Sequence, residues 1–376
     1  MTYEAYADSV LEELKEFIKT FAVIPAPSNH EEKRAAFLTD FLKKQGIENV
    51  YTDEAMNVII PVNVTADNDL TVFMAHTDIV FGENVKLNVK EENGRYYCPG
   101  IGDDTAKLAM LLYAAFYFLK QNRKPETGIL IVGNSGEEGL GNLRGSRCIV
   151  DTFGSRIREF YTVDDGIGHA VARAVGSDRY RVTVRTEGGH SFVNFGNRNA
   201  IRTMASLIDT LYSVKVPKNG NSITTYHVGG ISGGTSVNTI AQDCEMLYEY
   251  RSNDLSCIEQ MRTMFEKTLD AYRSMGVTVE AELLGQRPCG SQVDPERLAA
   301  LIEKVRTANK ATGYDLVLSK DGGSTDANYP LYKGIPAICV GAGEGRGAHT
   351  TGEYIEIGSL RTGLLFLLNL MGLYFE

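Results

Sequence analysis

Residues 127–133 read Thr-Gly-Ile-Leu-Ile-Val-Gly, a continuous apolar run with glycine near each end. A run without polar alternation is typical of a strand buried on both faces of a parallel or mixed sheet. Similar strand-like runs occupy residues 57–61, 70–75, 160–163 and 336–340. Helical patterns alternate with them, at residues 11–21, 36–42 and 102–120. This alternation predicts an α/β fold with helices on both faces of one large sheet.

Two polar segments are predicted to begin helices. Ser28-Asn29-His30-Glu31 has the pattern of a capping box, in which the serine and the glutamate satisfy free backbone N–H groups. Asp294-Pro295 combines an N-cap residue with proline at the first helical position. The first segment precedes the helix at 36–42, and the second begins a helix in the last quarter of the chain.

The middle of the chain has a different pattern. Strands are predicted at residues 179–187, 222–228, 243–252 and 277–284, and helices at 199–214 and 255–275. Their order is βαββαβ, the ferredoxin-like motif. We therefore predict a large α/β domain formed by residues 1–177 and 287–376, with a ferredoxin-like domain of residues 178–286 inserted into it.

Composition excludes several classes of protein. The net charge of the 376 residues is −10, which disfavours a nucleic-acid partner. The longest apolar runs are well short of the roughly 20 residues that cross a bilayer, so no membrane association is expected. The N-terminus is acidic rather than signal-like. The six cysteines form no CxxC pair, which favours reduced thiols and a cytoplasmic protein.

Five short segments place His, Asp or Glu at strand ends or on turns. They are Met74–Asp78, Gly100–Asp104, Ser135–Gly139, Tyr161–Gly166 and Gly347–His349. Ligands of open α/β sheets bind outside the carboxyl ends of the strands. Three of the segments contain adjacent carboxylates, which repel each other unless a cation offsets them. A divalent cation is the simplest explanation, and two imidazoles favour zinc, cobalt or manganese over magnesium or calcium.

In this order, and with Gly188-Gly189-His190-Ser191 in the predicted insertion, the segments resemble the co-catalytic zinc metallopeptidase family. Its members include peptidase T, carboxypeptidase G, aminoacylase and succinyl-diaminopimelate desuccinylase. The resemblance covers nearly the whole chain. It implies two divalent metal ions per chain, zinc first and cobalt or manganese as alternatives, and a hydrolase of C–N amide bonds.

The resemblance also implies roles for individual residues of the large domain. One metal would be bound by His76 and Asp164, the other by Glu138 and His349, and both by Asp103, whose peptide bond to Asp104 would be cis. Asp78 would orient His76. Glu137 would be the general base that activates a metal-bridging water. Asp164 is chosen by matching Tyr-Thr-Val-Asp, and Asp165 stays open as the alternative.

Further roles fall in the inserted domain. His190 would stabilise the oxyanion, and Asn238, at the end of the glycine-rich loop 233–238, would contact the substrate. Arg251 would bind a substrate carboxylate through its planar fork. The resemblance further implies a homodimer through the inserted domain, with His190 acting in the partner's active site.

Each segment also has a simpler interpretation. His76 could be a structural histidine bonded to Asp78, and Asp103-Asp104 an N-cap for the following helix. Glu137-Glu138 could be an exposed acidic turn, and Arg251 could form a surface ion pair. After Asp104 the chain has Thr-Ala-Lys, where many relatives have Lys-Gly. The order of all the segments together favours the metal-site interpretation.

The predicted function is therefore cleavage of short peptides by a tripeptidase- or dipeptidase-like exopeptidase. An N-acyl amino acid deacylase is the alternative within the same chemistry, since the sequence does not separate the two substrates. A catalytically inactive metal-dependent binding protein is a second alternative, but Glu137 and every candidate ligand are present. A two-metal phosphohydrolase would require more positive charge than this chain carries.

Overall fold

The computed structural model describes residues 1–121, 123–290 and 292–375. The chain divides into two compact units. The α/β unit consists of residues 1–174 and 291–376, and the inserted unit consists of residues 175–290. These boundaries fall within four residues of the expected ones at 177/178 and 286/287.

Within the described residues the helices and strands are as follows. Helices α1 to α9, in chain order, are Tyr3–Ala22, Glu32–Lys44, Ala106–Leu119, Arg144–Phe153, Ala200–Tyr212, Leu255–Ser274, Pro295–Ala311, Asn328–Tyr332 and Ser359–Gly372, and a π-helical turn spans Ile101–Thr105. Strands β1 to β18 are Tyr51–Thr52, Val58–Val62, Leu70–His76, Lys90–Glu92, Arg95–Tyr97, Gly128–Asn134, Ile157–Asp165, His169–Val171, Gly176–Arg185, Gly189–His190, Thr224–Gly233, Thr239–Ile240, Asp243–Ser252, Thr278–Arg287, Val317–Leu318, Ala337–Gly341, Gly345–Arg346 and Tyr354–Glu356.

The α/β unit is built on a mixed sheet with the strand order β1-β2-β6-β3-β7-β16-β8-β15. Strand β3 lies between β6 and β7 and is parallel to both, and β16 continues the parallel set beside β7. Every residue of β3 and β6 is buried, as the apolar run at 127–133 predicts. The predicted α/β fold class is confirmed. The carboxyl ends of β3, β6 and β7 emerge at one edge of the sheet, where the polar segments follow.

Helices cover both faces of this sheet. Phe73 and Ala75 pack into one core with α1, α3 and α9, while Val72 and Met74 pack into a second core on the opposite face. Helix α3 is buried over residues 106–118, which explains its apolar sequence. Each large side chain buried in this way stabilises the fold by roughly 1.5–3 kcal/mol. No helix in the described ranges is long and apolar enough to cross a membrane.

The inserted unit has the predicted ferredoxin-like arrangement. Its antiparallel sheet has the order β11-β13-β9-β14, and α5 and α6 pack on one face through Met204, Leu207 and Phe265. The other face carries ion pairs across neighbouring strands, such as those of Arg181 with Glu245 and Glu282. One covered and one charged face explain the alternating sequence of its strands.

The predicted capping box at Ser28 is wrong. Glu31, not Ser28, precedes the first turn of α2, and its side chain does not cap the helix. The Ser28 hydroxyl instead donates to Asp78 Oδ2 at 2.6 Å, and Glu31 Oε1 accepts N–H groups of Asn29 and Gly136. Buried polar groups on neighbouring loops compete for these side chains, and here they outweigh the local helix start.

Candidate metal centre

All five side chains expected to bind metal meet at the edge of the large sheet. His76 ends β3, Asp103 lies in the π-helical turn before α3, and Asp164 lies near the end of β7. Asp103 sits between the two histidines, because its Oδ1 is 2.9 Å from His76 Nε2 and its Oδ2 is 3.4 Å from His349 Nε2. One oxygen therefore faces each imidazole, which is the arrangement of a bridging carboxylate. The peptide bond between Asp103 and Asp104 is cis, as the resemblance implied.

The remaining acids complete two sides of the centre. His349 Nε2 lies 2.9 Å from Glu138 Oε1, and His76 Nε2 lies 3.9 Å from Asp164 Oδ2. Donor atoms of His76, Asp103 and Glu138 lie within 4.8 Å of one another, and those of His76, Glu137 and Asp164 do so as well. Asp165 belongs to neither group. Imidazole nitrogens with carboxylate oxygens at this spacing fit a transition-metal ion such as zinc.

The ionisation of these side chains shows that the centre favours positive charge. Hydrogen bonds raise the pKa of His349 to about 10, the larger contribution coming from Asp103 and the smaller from Glu138. Burial raises the pKa of Asp103, but hydrogen bonds from His349 and His76 outweigh it and hold that pKa well below its ordinary value. A cluster of this kind is suited to a divalent cation, whose charge would replace the protons on the imidazoles.

Asp78 connects the end of β3 to the turn after β6. Its Oδ1 accepts the N–H of Glu137 at 3.0 Å, and its Oδ2 accepts the N–H of Glu138 at 2.9 Å. His76 Nδ1 lies 3.0 Å from the Asp78 main-chain oxygen and 3.4 Å from Oδ1. The nearer acceptor is thus the main-chain oxygen rather than the expected carboxylate. Either contact turns Nε2 toward the centre.

Glu137 borders the His76 and Asp164 side of the centre and is only 5% exposed. Its carboxylate lies as near to His76 as a ligand would. Geometry alone therefore suits Glu137 to either role, that of a ligand or that of a base acting beside the metals. The simpler interpretation of Asp103-Asp104 as a helix cap is wrong, since the residue that precedes α3 is Thr105 and makes no side-chain capping bond.

Lys107 is a component of the centre that the sequence motifs did not reveal. Its ammonium lies 3.0 Å from Asp164 Oδ1 and 3.4 Å from Asp104 Oδ1. Lys107 is the second residue of the buried helix α3. Burial raises the pKa of Asp164 to about 6, and Lys107 opposes that rise. Because Lys107 holds Oδ1, Asp164 presents Oδ2 to His76. The unusual Thr-Ala-Lys after Asp104 was the signal that could have identified Lys107.

Glu353 is a second missed component. Its buried carboxylate accepts the backbone N–H groups of Gly100 and Gly102, each at 2.7 Å, and of Asp103 at 2.8 Å. Three such bonds fix the turn that carries Asp103. Burial raises the pKa of Glu353 to about 7, although the backbone N–H groups favour its ionised form. Nothing in the polar sequence around Glu353 distinguishes it from a surface glutamate.

Two predicted residues of the inserted unit lie side by side. Strand β10, which ends at His190, pairs with β12, and the Ser191 N–H donates to the Asn238 main-chain oxygen at 3.0 Å. His190 Nδ1 accepts the N–H groups of Phe192 at 3.2 Å and Val193 at 3.4 Å. These bonds assign the ring proton to Nε2, which leaves Nε2–H as a hydrogen-bond donor. Both side chains are exposed.

Arg251 does not join that pair. Its Nε and Nη2 donate to the two carboxylate oxygens of Glu249, on the same strand, at 2.7 and 3.0 Å. Glu249 also accepts a bond from Arg179. The planar fork of Arg251 is therefore occupied within the inserted unit, in agreement with the simpler ion-pair interpretation. Its role toward substrate stays a prediction.

An α/β unit with two overlapping groups of metal donors and a ferredoxin-like insertion defines the class of protein. Residues 72–372 match the peptidase family M20/M25/M40, and the chain belongs to this family. Its members hydrolyse C–N amide bonds with the help of metal ions, and the chain is such a metal-dependent hydrolase.

Curated relatives and solved structures extend this comparison. The chain is 26% identical over 306 residues to succinyl-diaminopimelate desuccinylase of Nitrosomonas eutropha, covering 75% of each sequence. It is 24% identical over 285 residues to acetylornithine deacetylase of Myxococcus xanthus, covering 73% of this chain and 71% of that protein. A tripeptidase from Staphylococcus aureus has the same fold, with a TM-score of 0.76, 22% identity, and coverage of 97% of this chain and 98% of the other.

Proposed function

We propose that the protein is a two-metal exopeptidase that cleaves short peptides, in the manner of a tripeptidase or dipeptidase. The observation that carries the proposal is Asp103, whose two oxygens face two different imidazoles at 2.9 and 3.4 Å. Two divalent ions, zinc first, would be held on either side of this carboxylate. The similarity in fold to a tripeptidase supports the choice of peptides as substrates.

In this proposal His76, Asp103 and Asp164 hold one ion, and Asp103, Glu138 and His349 hold the other. When bound, such ions lower the pKa of water and polarise the scissile carbonyl. Lys107 keeps Asp164 in place, and Asp78 and Glu353 fix the loops that carry the other donors.

Glu137 moves the proton. Its carboxylate takes a proton from the attacking water and passes it to the leaving nitrogen. Its main-chain N–H donates to Asp78, which fixes the backbone from which the Glu137 side chain extends. Its neighbour Glu138 faces His349 instead. Two adjacent glutamates thereby take different roles.

The inserted unit would contribute to the substrate side. His190 would donate its Nε2–H to the carbonyl oxygen as negative charge develops there. Asn238 would add a second polar contact, and Arg251 would bind the substrate carboxylate in exchange for Glu249. We further propose a homodimer through this unit, in which His190 serves the partner's site, because the edge strands β11 and β14 are suited to pairing.

An N-acyl amino acid deacylase is the second candidate. The names of the two curated relatives, a desuccinylase and a deacetylase, favour it. The same chemistry serves both substrates, since each contains an amide carbonyl and a leaving nitrogen. We also propose that the protein works in the cytoplasm, where its six free cysteines would stay reduced.

A substrate panel tests the proposal. Protein reconstituted separately with zinc, cobalt or manganese is incubated with dipeptides, tripeptides, N-acetyl amino acids and N-succinyl amino acids, and released amines are measured. We expect one residue to be released from one end of a short peptide. Hydrolysis of the N-acyl amino acids alone would select the deacylase, and hydrolysis of none would reject both functions.

A further inference from the structure

A cavity of about 160 Å³ adjoins the metal centre within the α/β unit. Asp103, Asp164 and Lys107 line the side toward the centre, and Asp165 and Arg346 also line the cavity. Glycines form much of the remaining wall, so the space is small and bounded largely by backbone. A substrate bound at the centre could extend one small polar group into it.

The charged groups around this cavity differ in whether they are already paired. The Lys107 ammonium is committed to Asp164 and Asp104, at 3.0 and 3.4 Å. Arg346 and Asp165, in contrast, have no ion-pair partner among the described residues, and they do not pair with each other. Asp165 Oδ1 accepts only the N–H of the next residue, at 2.7 Å.

Backbone pairing fixes the positions of these two residues. Arg346 lies on β17, opposite Tyr354 of β18. Asp165 is the last residue of β7 and pairs with Gly341 of β16. The backbones of Arg346 and Asp165 are therefore fixed, and both residues line the cavity without an ion-pair partner among the described residues.

We propose that this cavity binds a zwitterionic head group, an ammonium and a carboxylate on the same carbon, at one end of the substrate. Arg346 would bind the carboxylate through its fork, and Asp165 would accept hydrogen bonds from the ammonium. The proposal rests on the proposed function and narrows it. In an ordinary linear peptide the ammonium and the terminal carboxylate are on different carbons, whereas a peptide or acyl amino acid joined through a side chain keeps both charges on one carbon.

Both charges of the head group are needed. A carboxylate alone would leave the charge of Asp165 unmatched. An ammonium alone would face the unpaired guanidinium of Arg346. A head group with both charges matches each unpaired residue, and its net charge of zero limits the cost of desolvation.

Four substrates with one common scissile amide test the proposal on the acyl side. They are γ-glutamyl-alanine, which has both charges, glutaryl-alanine, which lacks the ammonium, 4-aminobutyryl-alanine, which lacks the carboxylate, and butyryl-alanine, which lacks both. A second arm compares Nε-acetyl-lysine, whose head group is on the leaving amine, with 6-acetamidohexanoate, which lacks the ammonium, N-acetylcadaverine, which lacks the carboxylate, and N-acetylpentylamine, which lacks both. The arm that shows the preference identifies the end of the substrate that enters the cavity.

In one of the two substrate sets we expect kcat/KM for the zwitterionic substrate to exceed that for the uncharged one by about tenfold or more. A hydrogen bond to a charged group contributes enough free energy for a difference of this size. In Arg346→Gln the advantage of the zwitterion over the ammonium-only substrate should disappear. Arg346→Lys should restore part of it. In Asp165→Asn the advantage over the carboxylate-only substrate should disappear. Arg297→Gln, at an exposed position in α7, is the matched control and should keep the wild-type ratios.

The wild-type panel is decisive even without the variants. Equal kcat/KM for charged and uncharged substrates in both arms would overturn the proposal, and so would an unchanged ratio in Arg346→Gln. Loss of a metal equivalent in Asp165→Asn would make Asp165 a ligand and overturn its assignment here. Failure of metal-loaded protein to hydrolyse any amide, in contrast, would reject the proposed function itself.

Discussion

The two units differ in how completely they position their predicted functional residues. In the α/β unit, side chains from five separate segments converge, and backbone N–H groups bind Asp78 and Glu353 from several sides. In the inserted unit, His190 at the end of β10 and Asn238 just before β12 are exposed, and Arg251 is paired with Glu249. The α/β unit therefore holds a preorganised centre. The inserted unit offers exposed hydrogen-bonding side chains that would act only when a substrate is bound.

The largest effect that would test this contrast is expected at Glu137. Glu137→Gln removes the base while keeping size and hydrogen-bonding capacity, so kcat should fall by about 10²–10⁴-fold. Both metals should remain, as measured by metal analysis of the dialysed protein. Glu138→Gln is the matched comparison and should lose one metal. The reverse outcome would exchange the two assignments.

An effect in the inserted unit tests whether its residues act across a dimer. His190→Ala and Glu137→Gln should each be nearly inactive. After subunit exchange, a mixed dimer would combine one intact Glu137 with one intact His190, so about one site in two should recover. The measurement is activity after mixing, with mixed dimers verified by differently tagged chains. If mixed dimers form and activity stays absent, His190 does not act in the partner's site.

A smaller effect is expected at Glu353, which supports the turn of Asp103. Glu353→Gln replaces an accepting oxygen with a donor that faces a backbone N–H, so the free energy of unfolding should fall by about 1–3 kcal/mol. Activity should fall with it, because Asp103 would lose its fixed position. Glu356→Gln, three residues away in a partly exposed pair with Arg95, should lower the free energy of unfolding far less, because ion pairs near solvent contribute little. Equal losses in both variants, measured by urea unfolding, would contradict the positioning role.

The smallest effect is expected at Arg251. Arg251→Lys keeps the charge but loses the fork, so KM should rise several-fold for substrates with a free carboxylate. KM for the corresponding carboxamides should change less, and the melting temperature should change little. If KM is the same for both substrate types, the pair with Glu249 is the whole role of Arg251.

The strands follow from local apolar patterns, whereas the candidate ligands are assigned through the resemblance to a known family, and their roles as ligands stay a prediction. The apolar run at 127–133 becomes β6, and parallel neighbours bring His76 and Asp164 to the same edge. Glu353 could not be predicted, since it binds the N–H of Asp103 across 250 residues of sequence. Ser28 was mispredicted for a related reason: its local capping pattern is overridden by a bond to Asp78. Sequence motifs locate the candidate metal ligands. The side chains that hold those ligands in place are determined by contacts between residues far apart in sequence.

The proposed mechanism depends on two metal ions that share Asp103. The most direct measurement is the number of zinc ions bound per chain after equilibrium dialysis, for wild type and for Asp103→Asn. We expect two ions for the wild type and a clear loss of bound zinc in Asp103→Asn, with the fold checked by circular dichroism. A wild type that binds one ion or none, or an Asp103→Asn variant that binds two as tightly as the wild type, would contradict this mechanism.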